Sequence, residues 1–110
     1  MNENMLQMMG KLQKFQEDMA KMQIDLQAQT VETMAGEGAV LVYANGQQQI
    51  TKIILSPEVM TAETAVQVQD WLVMAINEAL CKAQNLAKSE MEKLTQDMNL
   101  PNIPGLFEKS

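Results

Sequence analysis

A chain of 110 residues and 12.3 kDa fits one domain, and with 46% apolar residues it can close a core. It carries eight Lys, no Arg and no His against fourteen carboxylates, with one Cys, for a net charge of −6. The missing His removes the commonest general base and metal ligand. The missing Arg removes bidentate grips on phosphate or guanine, and a single Cys allows neither an internal disulfide nor a thiolate zinc site.

No apolar run reaches the roughly 18 residues of a membrane span, and no basic region followed by an apolar block opens the chain as a secretory leader would. The expectation is a soluble, reduced, intracellular protein that is not an enzyme, with no metal, no cofactor, no small-molecule substrate and no membrane attachment.

Residues 4–28 read as one helix, rich in Met, Leu, Gln, Lys and Glu and free of Pro. Met5, Met8, Leu12, Phe15, Met19, Met22 and Leu26 recur at alternating spacings of three and four, a heptad seam. The positions that would continue it, Gln29 and Thr33, are polar. Residues 30–55 read as a sheet. Thr30–Ala35 is β-branched enough for a strand, Gly36-Glu37-Gly38 breaks it, and Ala39–Ala44 is a second strand. Asn45-Gly46 is the strongest short hairpin signal, since both residues tolerate positive φ. A two-residue turn there places Tyr43 across from Gln48 and Leu41 across from Ile50. The returning strand, Gln47–Leu55, ends in Ile53-Ile54-Leu55, apolar on both faces. One face of the sheet is therefore expected against a helix and the other against something else.

Ser56-Pro57-Glu58 can stop the strand and start a helical turn, with Ser as cap and Pro first. Thr61 is a second possible cap. Residues 57–98 are assigned to helix, continuous from Ala62 to Met98, with a main stripe of Leu72, Ile76, Ala79, Ala83, Ala87, Met91, Leu94 and Met98. Trp71, Met74 and Cys81 fall off that stripe. Residues 99–110 form a Pro- and Gly-containing tail, apolar enough to dock on a surface. At about 1.5 Å per residue both helices outrun a compact domain of this size. An elongated protomer with a sticky projecting helix needs a partner, and the simplest is a second copy. The doubly apolar third strand makes Ile53, Ile54 and Leu55 the candidate dimer interface.

This order of elements resembles the YbaB/EbfC family of bacterial nucleoid-associated proteins. The resemblance rests on the Met/Gln/Lys-rich first helix with Met19-Ala20-Lys21-Met22-Gln23, and on Gly36-Glu37-Gly38 leading into Ala39-Val40-Leu41-Val42. It continues through Asn45-Gly46, Ile50–Glu58, Asp70–Ala79 and the ending Ile103-Pro104-Gly105-Leu106-Phe107. It implies an α+β fold of α-β-β-β-α order, an intertwined homodimer whose first helices project like tweezer arms, and DNA binding in the cytoplasm that organises the nucleoid and regulates gene expression.

DNA binding is normally driven by Lys and Arg displacing counterions from phosphate, so the placement of charge matters. Residues 1–27 hold three Lys and four acids, and residues 57–80 hold four acids and no Lys. The excess negative charge thus sits at the start of the second helix, and the first is close to neutral. Taking Lys11 as zero, Lys14 and Lys21 fall at about 300° and 280° around the helix. Lys11, Lys14 and Lys21 are thus the candidate DNA-binding residues. The plain alternative is a solvated helix face, with Lys14–Asp18 and Lys21–Asp25 as ordinary i,i+4 pairs. At the level of function, the alternative to DNA binding is an acidic, Met-rich dimeric chaperone or adaptor that binds protein partners, Met being suited to adaptable surfaces. Cys81 reads as a small apolar helix residue, with no His or Arg to lower its pKa.

Overall fold

A computed structural model describes residues 2–97. The order is α1 (Asn2–Ala28), β1 (Thr30–Ala35), β2 (Val40–Asn45), β3 (Ile50–Leu55), a 3₁₀ turn (Pro57–Val59) and α2 (Ala65–Asp97). The expected end of α2 at Met98 and the tail 99–110 lie outside the described residues. The molecule is long and thin, 73 × 25 × 15 Å. This follows from two helices of 27 and 33 residues, which the chain cannot fold back within a sphere.

The three strands form an antiparallel sheet in the order β1-β2-β3. Val40, Val42 and Ala44 of β2 are fully buried beneath Ala75, Ala79 and Ala83 of α2, which are equally buried. The small alanines let the helix axis approach the sheet closely, and Val31, Ala35, Leu55, Trp71, Leu72 and Ile76 close the margins. Thr33 is buried on the same face and donates its hydroxyl to the Ala75 carbonyl at 2.7 Å, which satisfies the one polar group there on β1. Ala75, which the expected stripe does not include, is among the most buried residues of α2. Trp71, expected off the stripe, lies over Gly36 and packs against this core.

The register across the β2–β3 hairpin differs from the expected one. Tyr43 faces Lys52 and Leu41 faces Ile54. The loop has three residues, closed by the Asn45 N–H donating to the Gln49 carbonyl and the Gln48 N–H donating to the Asn45 carbonyl. The Asn45 side-chain oxygen accepts from the N–H groups of Gln47 and Gln49. The positive φ falls on Gln48, at 63°, and the ladder slips between Tyr43 and Ala44, leaving Thr51 as a bulge. Gly46 is required for a reason other than φ. A Cβ there would come within 2.7 Å of the Leu26 carbonyl oxygen, to which the Gly46 N–H donates. That bond moors the hairpin to the C-terminal end of α1.

The cap of α2 also shifts. Thr64 sits at the start, its carbonyl accepting from the Val68 N–H, while its hydroxyl reaches the Val59 carbonyl and the Thr61 hydroxyl. Residues 62–64 are turn rather than helix. Ser56 precedes the 3₁₀ turn but makes no side-chain cap bond.

Candidate nucleic-acid and subunit surfaces

A second, smaller core joins the two helices. Met22 and Leu26 of α1 and Leu94 of α2 are buried, with Phe15, Met19, Leu86, Ala87 and Met91 around them. The second half of the heptad seam is thus covered by the chain's own α2, not left for a second copy. The covering stops at Phe15. Every described residue from 3 to 14 is exposed, including Met5, Leu6, Met8, Met9 and Leu12, each 57–66% exposed.

Lys11, Lys14 and Lys21 are all exposed on α1, flanking the packed seam. The structure does not pair them alike. Lys14 holds Asp18 at 2.9 Å, whereas the expected Lys21–Asp25 pair does not form, and among the described residues neither Lys11 nor Lys21 makes an ion pair. Two of the three ammonium groups are therefore open to an external anion. The other ion pairs, Lys82–Glu78 and Lys93–Glu90, lie on α2.

The sheet face turned away from α2 is uncovered. A row of Met34, Leu41 and Ile54 runs straight across the three strands, beside a second row of Glu32, Tyr43 and Lys52. Tyr43 is held above the ordinary 10.0 of a phenol, first by hydrogen bonding to Glu32, then by burial, then by the negative charge of Glu32. α2 covers β1 and β2 and barely reaches β3. Consequently Ile53, on the α2 side, and Ile54, on the open side, are 43% and 38% exposed. Leu55 is half-buried and belongs to the protomer's own core margin, opposite Val40. Met34 and Leu41 extend the candidate subunit surface beyond the residues read from sequence. The signal for them was available in the alternation of β1 and β2, once the register was known.

A cleft of about 460 Å³ between α1, the hairpin and α2 is lined by Met22, Gln23, Leu26, Gly46, Gln47, Gln48, Ala87 and Met91, none of them titratable. Among the described residues no three His, Cys, Asp or Glu side chains are placed to hold a metal ion, and no helix is long and apolar enough to cross a membrane. Cys81 is exposed.

A lysine-bearing helical arm on a three-stranded sheet with one face left open defines a small, elongated α+β protein. The sequence matches the YbaB/EbfC DNA-binding family over residues 1–98, and the chain belongs to that family, which is a DNA-binding and not an enzyme family. A nucleoid-associated protein of Pelotomaculum thermopropionicum is 45% identical over 97% of this chain and 99% of its own length. One from Desulforamulus reducens is 47% identical over the same shares, and one from Ruminiclostridium cellulolyticum is 42% identical over 94% of this chain and 89% of its own. The crystal structure of an uncharacterized protein from Helicobacter pylori superposes with a TM-score of 0.63 at 17% identity, covering 84% of this chain and 94% of that one, and so shares the fold.

Proposed function

We propose that this nucleoid-associated DNA-binding protein acts as a homodimer on the cytoplasmic nucleoid, gripping DNA with the two α1 arms. Lys11, Lys14 and Lys21 make the phosphate contacts, binding is of low sequence specificity, and the dimer contributes to nucleoid organisation and gene regulation. Membership of a DNA-binding family sets the partner. The observation that carries the placement is the exposure of Lys11 and Lys21, which make no ion pair among the described residues, on a helix whose docked half meets the C-terminal half of α2. The family and the unpaired lysines together favour this over the chaperone or adaptor reading.

The subunit contact is assigned to the open sheet face and the β3 edge, through Ile53 and Ile54 with Met34 and Leu41 beside them and Leu55 at the margin. An edge strand that is apolar on both faces and exposed on both is a template for pairing. Homodimers with two-fold symmetry bury such a patch against itself.

A gel-shift series across salt tests the reading. Affinity should fall linearly in log–log terms, by roughly 0.9 per phosphate neutralised. With few lysines per arm the slope should be shallow. Undetectable binding at low salt, with protein ligands captured instead, would favour the adaptor.

A further inference from the structure

Among the described residues the exposed apolar side chains on the first half of α1 have no partner, and they form an arc broader than a helix–helix seam. With Lys11 at zero, Met8, Leu12, Met5, Met9 and Leu6 spread from about 60° to about 220°, whereas a two-helix seam is a narrow stripe. Lys11 and Lys14 lie outside that arc, on its flank. From Asn4 to Gln16 there is no carboxylate. That stretch thus presents a broad apolar side and a basic side, with Glu3 and Asp18, the latter paired with Lys14, just beyond its ends. A second helix would leave Leu6 and Met9 in water.

A helix of about 10–12 Å diameter fits the major groove, which is about 12 Å wide. The groove has phosphate walls and a floor on which the only apolar features are thymine methyl groups. Resting on the DNA-binding reading above, we infer that the first half of α1 lies in the major groove. Met5, Met8, Met9 and Leu12 touch thymine methyls, and Lys11 and Lys14 hold the flanking phosphates. Flexible Met side chains suit this because they adapt to methyls at varying positions. The contact adds affinity that does not depend on salt, which an acidic protein with few lysines needs, and it biases the dimer toward A·T-rich DNA without fixing a sequence.

Deoxyuridine differs from thymidine only by that methyl group. The test measures binding of the full-length chain to an A·T-rich duplex and to the same duplex with every thymidine replaced by deoxyuridine. Burying one methyl changes affinity roughly fourfold, so the wild-type chain should lose about tenfold or more on the deoxyuridine duplex. A variant carrying Met5→Gln, Met8→Gln, Met9→Gln and Leu12→Gln keeps good helix formers. It should bind more weakly, with an unchanged salt slope, and should no longer distinguish the two duplexes. Equal affinity of the wild type for both duplexes, with salt-dependent binding intact, overturns the groove contact alone, since the minor groove displays no methyl. A variant that still discriminates, or that dissociates to monomers in light scattering, also overturns it. The latter result would assign the apolar arc to a second copy. No binding of either duplex by the wild type would overturn the functional reading as well.

Discussion

Gly36 meets two demands at once. Its φ is +62°, and a Cβ would lie 2.6 Å from the Trp71 ring, whereas Gly38, with φ +89°, has open space where its Cβ would be. Gly36→Ala should therefore cost about 2–3 kcal/mol, combining backbone strain with a clash against a rigid ring, and Gly38→Ala about 1 kcal/mol from backbone strain alone. Urea unfolding of the two variants checks the difference, and equal midpoints would show that Trp71 yields freely. The sequence marks both glycines as a strand break but not their inequality, because that depends on a tryptophan brought from α2. Tyr43, the only tyrosine, gives a second residue-scale reading. Its phenol is raised by Glu32, so Glu32→Gln should lower the midpoint of its absorbance titration toward 10.0. The sign follows from the pair: replacing the carboxylate by a neutral amide removes the charge and weakens the hydrogen bond that the phenol donates, which eases loss of the proton. A raised folded pKa also means that this contribution to stability is present below the unfolded value of 10.0 and is lost as pH rises through the folded one. An unchanged titration would detach Glu32 from Tyr43.

At the scale of elements, α1 is divided in use. Its second half is a packed helix, docked on α2 through Met22, Leu26 and Leu94 and tied to the hairpin at Gly46. Its first half leaves Met5, Leu6, Met8, Met9 and Leu12 exposed, without a partner among the described residues. The seam residues were all legible from the three-four spacing, but a periodic stripe does not say which helix covers it. That depends on α2 leaving the sheet beside α1. The hairpin register was lost for a similar reason: Asn-Gly signals a turn, yet here Asn45 serves through its side chain and Gly46 through its closeness to Leu26. The lysine pairing also separates two substitutions that the spacing treats alike. Asp18→Asn breaks the Lys14–Asp18 pair and should strengthen DNA binding about twofold, the scale of an exposed i,i+4 pair. Asp25→Asn, with no pair to break, should give only the smaller effect of one less negative charge. Titrations with a labelled duplex separate them, and equal gains would mean that DNA senses total charge alone.

For the whole molecule, the long shape and the order of elements followed from helix lengths and composition, while the breadth of the open sheet face became visible only with the strand register. If that face joins two copies, Ile54→Lys with Leu41→Lys should shift light scattering at micromolar concentration from about twice 12.3 kDa toward the monomer. Loss of folded structure without a monomer would place these residues in the protomer's own stability instead. The distribution of charge, four acids and no Lys between Glu58 and Glu78 and three exposed lysines on the arm, leads to the most direct test of the account. Lys11, Lys14 and Lys21 replaced together by Glu should abolish DNA binding while circular dichroism and dimer mass stay as in the wild type. The matched replacement of Lys88, Lys93 and Lys109 by Glu makes the same change in charge and should weaken binding only slightly. Equal losses from the two variants would contradict the assignment of the α1 arm as the DNA-gripping element.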